Sequence, residues 1–280
     1  MTAASAEESR TMNSFLIRLR SSIILAVIAG FSFYAGGFIL FAIVSVVSLI
    51  GLFELYQALG IWRTSIAAAG FMGACLYLET VWLGWDTWLL FTLFLVLVLV
   101  LGTFVFTFPR YTAAQAAMSL FGVIYVPVML SYLYRIRNLQ DGFVLVWLVF
   151  LSSWGSDVMA YCTGLLIGKH KMTPNLSPKK TWEGAVGGVL GSALLGFLYA
   201  LFLRSHLSFL PSPLLLVPLI TGVGSVISQI GDLAASAIKR TVGVKDYGNL
   251  IPGHGGIMDR FDSVIVTAPI VYYLLILLRG

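Results

Sequence analysis

Residues 87–107 read TWLLFTLFLVLVLVLGTFVFT, and this stretch contains no charged side chain. An α-helix needs about 20 consecutive apolar residues to cross the hydrocarbon core of a bilayer, whereas a strand of a membrane β-barrel needs only about 10. Backbone polar groups within lipid must also be satisfied internally, and a helix does this by itself. The stretch therefore predicts a transmembrane α-helix.

The rest of the chain has the same character. Its mean hydropathy is +0.95, and it is 59% hydrophobic and only 10% charged. Soluble domains are about 45–50% apolar and about 25% charged, so an ordinary soluble domain is excluded. We predict an all-α, polytopic integral membrane helical bundle with about nine transmembrane helices. The predicted membrane segments are 21–35, 38–58, 64–84, 87–107, 115–134, 142–167, 184–204, 213–238 and 261–279.

The lysines and arginines predict an orientation. Nine crossings place the two termini on opposite sides, and the 17 lysines and arginines then divide into 13 on the N-terminal side and 4 on the other. The positive-inside rule predicts a cytoplasmic N-terminus. Without the eight in the two long polar loops the division is 5 against 4, so the orientation depends on those loops. We predict a multi-pass protein of the cell inner membrane with its active site near the cytoplasmic membrane face.

The two halves of the chain differ in polarity. Residues 1–140 are rich in Leu, Val, Phe and Trp and predict an N-terminal transmembrane scaffold, whereas residues 150–263 carry nearly all the polar groups within membrane segments. We predict that residues 141–280 form a C-terminal transmembrane catalytic region. No internal repeat is apparent, so an inverted-repeat transporter gains no support.

Residues 236–263, SAIKRTVGVKDYGNLIPGHGGIMDRFDS, concentrate charge in this apolar chain. A charged group within lipid costs several kcal/mol, so such a cluster indicates a functional site. Carboxylates suit a hard divalent cation, cationic side chains suit phosphate, and glycines with a proline suit a tight turn. The candidates are Lys239, Arg240, Lys245, Asp246, His254, Asp259, Arg260 and Asp262. Membrane-surface anchoring by Lys239 and Arg240 and a structural hydrogen bond from His254 remain open as alternatives.

A polar stripe leads into this segment along one helix face. Its members are spaced by 4, 3, 4 and 3 residues, which is helical spacing. They are Ser225, Gln229, Asp232, Ser236 and Lys239. The carboxylate of Asp232 must face the bundle interior, a cavity or a cation, because exposure to lipid is too costly. A hydrogen-bond network between helices is the alternative interpretation of the stripe.

The carboxylates predict a metal site. Asp259 and Asp262 are three residues apart near the start of the last helix, where they share a face. Acidic residues there could simply complement the helix dipole. Their combination with two further acids favours a metal site, whose candidate ligands are Asp232, Asp246, Asp259 and Asp262.

A second polar region covers residues 152–184. Ser153, Asp157 and Tyr161 share a helix face, and the stretch 177–184, SPKKTWEG, then predicts a loop that binds phosphate. The candidate contacts are Ser177, Lys179, Lys180 and Thr181. The alternative is a basic surface loop that touches anionic lipid headgroups. The glycines at 184, 187, 188 and 191 predict helix packing, since small residues let membrane helices approach closely.

Together these motifs resemble the signature of the phosphatidate cytidylyltransferases, also called CDP-diacylglycerol synthases. The resemblance rests on the pattern SxxKR at 236–240, KD at 245–246 and PxHGGxxDRxD at 252–262. The blocks DxxAY at 157–161 and SPKKTWEG at 177–184 are similar to blocks of the same family. The resemblance covers roughly residues 150–270.

The resemblance implies that CTP and phosphatidic acid react to give CDP-diacylglycerol and pyrophosphate. It implies magnesium as the cofactor, with a potassium ion as an assistant. The partners of such a protein would be CTP, phosphatidic acid and the lipid bilayer, with no nucleic acid. A homodimer is left open. The implied catalytic residues are Asp246, Lys239, Arg240, Lys245, Arg260 and His254. The implied substrate-binding residues are Ser177, Lys179, Lys180, Thr181, Ser236, Gly255 and Gly256.

Two other functions use similar equipment. A CTP-dependent lipid kinase of the polyprenol or phytol type would transfer the γ-phosphoryl group to an isoprenoid alcohol and would need the same metal and phosphate contacts. A cation-coupled transporter would suit Asp157 and Asp232. The density of the signature favours the cytidylyltransferase, and the clustering of charge on one predicted side speaks against a transporter.

Overall fold

The computed structural model describes residue 24 and residues 26–174, 176–250 and 255–279. Its described residues form a bundle of nine apolar helices and one two-stranded hairpin. The helices are α1 Ala26–Ala35, α2 Gly37–Ala58, α3 Ser65–Trp82, α4 Asp86–Phe106, α5 Ala113–Arg137, α6 Gly142–Ile167, α7 Trp182–His206, α8 Pro213–Thr241 and α9 Met258–Leu278. The strands are β1 Lys171–Thr173 and β2 Ser177–Thr181.

The predicted helical membrane bundle is confirmed. Helices α2 to α9 are each long and apolar enough to cross a membrane, and their bounds lie within a few residues of the predicted segments. The predicted segment 21–35 begins outside the described residues, and its described part is the short apolar helix α1. The division into halves at residue 140 remains a prediction, and one hydrophobic core runs from Phe33 to Leu275 across it.

Burial distinguishes central from peripheral helices. In the most apolar 18-residue stretch of α5, 67% of the residues are buried inside the protein. In the corresponding stretch of α4, only 22% are buried. Helix α4 also has the highest mean hydropathy of the eight, 2.9. A helix that is apolar all round can face lipid on most of its surface, so α4 lies at the edge of the bundle and α5 lies within it.

Two helices contain a π-helical turn. In α5 the turn is Ile124–Val128 and includes Pro127, which has no backbone N–H to complete the α-helical ladder. In α6 the turn is Leu151–Gly155. There the hydroxyls of Ser152 and Ser153 donate to backbone carbonyls four residues earlier, a pattern that bends helices. The second turn ends two residues before Asp157.

Glycines let α6, α7 and α8 pack closely, as predicted. A Cβ at Gly187 or Gly191 of α7 would collide with Thr163 or Met159 of α6, and one at Gly196 would collide with Thr221 of α8. Between membrane helices, close backbone approach replaces the hydrophobic driving force available in water. The three helices therefore form a tight unit that positions the polar side chains of α6 and α8.

The hairpin corrects one expectation. Residues 177–184 were expected to form a loop, but 177–181 form β2, which pairs antiparallel with β1 in the register Lys171 with Thr181 and Thr173 with Ser177. The stretch has no alternating apolar pattern that would indicate a strand. The pairing instead follows from the closure of the chain between α6 and α7, where Trp182 donates a backbone hydrogen bond to His170.

The packing of α7 on α8 can be tested with two glycines. We expect Gly196→Ala to lower the melting temperature of the detergent-solubilised protein, because Thr221 is held by its own hydrogen bond to Val217 and overpacking costs about 1–3 kcal/mol. Gly222→Ala is the matched control, since its Cβ would meet only Ala193 at 3.6 Å. Equal melting temperatures for the two variants would contradict this packing.

Candidate functional site

Three carboxylates from three helices lie close to one another inside the bundle. Asp157 of α6, Asp232 of α8 and Asp262 of α9 are near enough to repel one another electrostatically. Asp262 is 8% exposed, and its carboxylate accepts the backbone N–H of Ser263 at 2.7 Å. Asp232 forms an ion pair with Lys180 of β2. Such a cluster of like charges is costly, and cationic partners or a bound ion would stabilise it.

Asp259 has a different environment. Its Oδ1 accepts a hydrogen bond from the Lys239 ammonium at 2.8 Å, and its Oδ2 accepts the backbone N–H groups of Tyr247 at 2.8 Å and Gly256 at 3.1 Å. Both oxygens are therefore engaged by the protein itself. The Tyr247 hydroxyl in turn donates to the Ala235 carbonyl of α8, and burial raises the pKa of this phenol. Through these contacts, Asp259 and Tyr247 hold the start of α9 and the chain that follows α8 against α8.

Glu54 of α2 contacts the signature segment, residues 236–263, from the half of the chain that was predicted to be scaffold. Its side chain accepts the backbone N–H of Ile257 at 3.1 Å and that of Met258 at 2.8 Å, and it is 4% exposed. These donors are at the N-terminus of α9, where N–H groups lack partners within the helix. Sequence reasoning missed this residue, although Glu54 is the one charged residue of 37–58 and intramembrane charge is itself a signal.

The remaining signature residues lie nearer the surface. Arg240, Lys245 and Asp246 are exposed, and Ser236 is half-buried on α8 one turn beyond Asp232. A Cβ on Gly255 would approach the Cβ of Asp246 to 3.5 Å, so these two residues are adjacent. Pro252, Gly253 and His254 lie outside the described residues, and the predicted role of His254 stays a prediction.

The polar stripe of α8 serves two purposes. Its first part forms the hydrogen-bond network that was the alternative interpretation: the Ser156 and Ser225 hydroxyls are 2.7 Å apart, and the Gln229 amide donates to the Ala185 carbonyl at 3.1 Å. Its second part forms the ion pairs of Asp232 and Lys239. The stripe up to Gln229 therefore holds helices together, and from Asp232 onward its charged side chains form ion pairs.

The hairpin brings its lysines to the same region. Lys179 is exposed, and Lys180 is half-buried against Asp232. Ser177 opens β2 and pairs with Thr173. The Thr181 hydroxyl accepts the backbone N–H of Gly184 at 3.1 Å and so caps α7. The sequence pattern did not predict that the Thr181 hydroxyl caps a helix.

Two cavities meet at Asp157. The first, which we call the apolar cavity, has a volume of about 570 Å³ and runs between α1, α2, α5, α6 and α9. Its walls include Phe33, Val44, Leu133, Phe150 and Trp154, and its polar end consists of Asp157, Asp259, Arg260, Asp262 and Ser263. The second, the lysine cavity, has a volume of about 360 Å³ between α6, the hairpin and α8. Its lining includes Asp157, Tyr161, Lys171, Lys179, Lys180 and Gln229.

The described carboxylates fit a metal ion only as a partial ligand set. Among residues 26–174, 176–250 and 255–279, no three His, Cys, Asp or Glu side chains are gathered so that they could hold a metal ion alone. The four predicted ligands are thus not assembled as one cage. Magnesium, however, is commonly held by one or two carboxylates together with substrate phosphates and waters. Asp232 and Asp262 offer such hard oxygen ligands, and the buried Tyr125 hydroxyl near them has no hydrogen-bond partner among the residues that the structure describes.

Comparison with known proteins gives a consistent result. A model of the Cytidylyltransferase family matches residues 16–278. A phosphatidate cytidylyltransferase from Staphylococcus epidermidis is 41% identical over 167 residues, which are 60% of this chain and 62% of that protein. One from Bacillus subtilis is 39% identical over 168 residues, which are 60% of this chain and 61% of that protein. The chain thus spans about three fifths of the length of these relatives.

A pair of glycines tests the geometry around Asp259. Gly255 and Gly243 both have positive φ, 85° and 75°, so alanine is strained at either position by about 1–2 kcal/mol. A Cβ on Gly255 would also lie 2.9 Å from Asp259 Oδ2, whereas one on Gly243 meets nothing within 4 Å. We expect Gly255→Ala to lower the melting temperature more than Gly243→Ala does. A larger effect from Gly243→Ala would refute this arrangement.

Proposed function

We infer that this protein, which belongs to the cytidylyltransferase family, transfers the cytidylyl group of CTP to phosphatidic acid and forms CDP-diacylglycerol and pyrophosphate. The observation that carries the proposal is the position of Asp157 at the junction of an apolar cavity and a lysine-lined cavity. A lipid phosphate and a water-soluble triphosphate require such a junction, because their bodies need opposite surroundings while their phosphates must meet. The names of the relatives support the same substrates.

The lysine cavity suits the triphosphate of CTP. Lys171, Lys179 and Lys180 present three ammonium groups to one space, and lysine binds phosphate as a compact charge. The volume of about 360 Å³ lies in the range of about 300–1,000 Å³ that is usual for small-molecule sites. Lys180 also contacts Asp232, so this cavity is electrostatically coupled to the carboxylate cluster.

The apolar cavity suits the diacylglycerol part of phosphatidic acid. Aliphatic and aromatic side chains form most of its wall, and its charged residues are gathered at one end. Acyl chains would lie along the apolar wall while the phosphate faces the end that includes Arg260. A guanidinium matches the geometry of a phosphate through paired donors. This orientation would bring the lipid phosphate toward Asp157 and thus toward the lysine cavity.

The reaction would be a displacement at phosphorus without oxidation or reduction. An oxygen of the phosphatidate phosphate forms a bond to the α-phosphorus of CTP, and the bond from this phosphorus to the bridging α,β-oxygen breaks. Pyrophosphate leaves with that oxygen and its electron pair. The attacking oxygen is already anionic, so no strong general base is needed. The contribution of the protein is the alignment of two anions and the neutralisation of their charge.

Magnesium is the metal that the donor set favours. Asp232 and Asp262 would hold it, with Asp157 close by to orient ligands or water. When bound, it would neutralise phosphate charge. The potassium ion implied by the resemblance remains a prediction to which no residue is assigned.

The proposal includes a cytoplasmic position for the site, because CTP is a soluble cytoplasmic nucleotide. The division of 13 lysines and arginines against 4 supports this orientation and a cytoplasmic N-terminus. The eight long apolar helices support a multi-pass membrane location.

Label transfer tests the reaction. Purified protein in detergent would be incubated with phosphatidic acid, magnesium and CTP labelled at the α-phosphate. We expect label in the lipid fraction and an equal amount of pyrophosphate, with both lost in EDTA and restored by magnesium. Transfer of γ-label to an isoprenoid alcohol would instead identify a lipid kinase. Absence of any nucleotide turnover in folded protein would reject the proposed function.

Removal of one carboxylate tests the assigned centre. We expect Asp262→Asn to lower kcat by about 10²–10³, the usual effect of removing one charge-stabilising group, while the protein remains folded. Asparagine retains an oxygen that can accept the Ser263 N–H. Asp86→Asn is the control, because Asp86 lies outside both cavities and is 66% exposed. Near-normal turnover of Asp262→Asn would remove this residue from the reaction.

Removal of one lysine tests the cavity assigned to CTP. Lys179→Met should raise the KM for CTP by about tenfold or more, since a hydrogen bond to a charged group contributes about 1.5–3 kcal/mol. The KM for phosphatidic acid should change little. Lys169→Met provides the control from the same loop, because Lys169 is exposed and does not line the lysine cavity. If the KM for phosphatidic acid rises instead, the two cavities have been assigned the wrong way round.

A further inference from the structure

We propose that Glu54 is a positioning residue for the reaction: its carboxylate fixes the N-terminus of α9 and thereby the placement of Asp259 and Asp262. The proposal rests on the proposed function for its kinetic consequence and on the contacts of Glu54 for its geometry. Neither the family match nor the signature assigns a role to this residue, which lies in α2.

The position of Glu54 demands an explanation. An ionisable side chain that is 4% exposed within an apolar helix carries a large desolvation penalty unless donors surround it. Glu54 finds its donors 203 and 204 residues later in the chain, at Ile257 and Met258. Each carboxylate oxygen takes one of these N–H groups. The pair resembles a helix cap supplied by a different helix, and the helix dipole adds to its stability.

Two glycines enclose the same carboxylate. A Cβ on either Gly248 or Gly256 would collide with the side-chain oxygens of Glu54. Neither glycine has a positive φ, so close approach rather than backbone conformation explains the absence of a side chain at these positions. Gly248 and Gly256 therefore both lie directly against the Glu54 carboxylate.

The contacts continue from Glu54 to the charged centre. Met258, which Glu54 holds, is followed directly by Asp259, whose Oδ2 accepts the N–H groups of Tyr247 and Gly256. Asp262 lies one turn further along α9. A displacement of the first turn of α9 would move both carboxylates relative to Asp157 and Asp232, which α6 and α8 hold independently. Glu54 lines neither cavity, so in this proposal it acts through these acids.

The kinetic test uses Glu54→Gln. Glutamine keeps the size of the side chain but directs an NH₂ donor at one of the two N–H groups, so one of the two contacts that fix the start of α9 is lost. We expect kcat for cytidylyl transfer to fall at least tenfold, with the KM for CTP changed less than twofold and the melting temperature lowered by only a few degrees. Glu79→Gln, an exposed acid on α3, is the control and should retain full kcat.

Two substitutions with opposite changes in side-chain size distinguish a positioning role of Glu54 from general destabilisation. Gly248→Ala should lower kcat because the new methyl group displaces the Glu54 carboxylate, although Gly248 belongs to neither cavity. Glu54→Asp shortens the acid by one methylene and makes room for that methyl group. We expect the double variant to be more active than Gly248→Ala alone. Additive losses in the double-mutant cycle would overturn the proposal.

Amide hydrogen exchange of residues 255–260 provides a readout that does not need activity. We expect faster exchange in Glu54→Gln than in the native protein and no change in Glu79→Gln. If the native protein transfers no cytidylyl group but exchange responds as expected, the proposed function fails and the geometric role of Glu54 stands. If the native protein is active and Glu54→Gln matches it in both kcat and exchange, the inference about Glu54 is wrong.

Discussion

A charged side chain that is buried in this bundle must have a partner, because the surrounding apolar helices offer none. The carboxylate of Glu54 meets this constraint by accepting the first N–H groups of α9, and Asp259 meets it by accepting one ammonium and two backbone N–H groups. These contacts tie α2, α8, α9 and the signature segment into one arrangement. In contrast, Asp157, Asp232 and Asp262 repel one another, and this is where an ion and substrate phosphates would be stabilised.

The arrangement gives each part of the chain a distinct task. Helices α6, α7 and α8 pack through glycines and hold Asp157 and Asp232 at fixed positions. Helix α9 brings Asp262, and the first half of the chain sets the position of α9 through Glu54. The half predicted to be scaffold therefore also contributes the wall of the apolar cavity and a contact to the signature segment. Two substrates of opposite solubility could then meet at a point that three helices define.

Much of the fold could be predicted because hydrophobic length is a local property. Segment 142–167 was predicted at the bounds at which α6 is found, and α8 is only three residues longer than predicted. The hairpin was missed because Ser177–Thr181 has no alternating pattern. Asp232 and Asp262 could be predicted as candidate site residues because intramembrane charge is rare. The ion pair of Lys180 with Asp232 and the contact of Glu54 with Ile257 and Met258 could not be predicted, because each joins distant parts of the chain and residue spacing contains no information on such contacts.

The most direct measurement is a structure determined with manganese in place of magnesium and a non-hydrolysable CTP analogue, in which the metal is located by its anomalous signal. The account predicts that the ion contacts the carboxylates of Asp232 and Asp262 and an oxygen of the nucleotide, while the remaining phosphates face Lys179 and Lys180. An ion bound at Asp246 or Asp259, with Asp232 and Asp262 distant from it, would contradict the account.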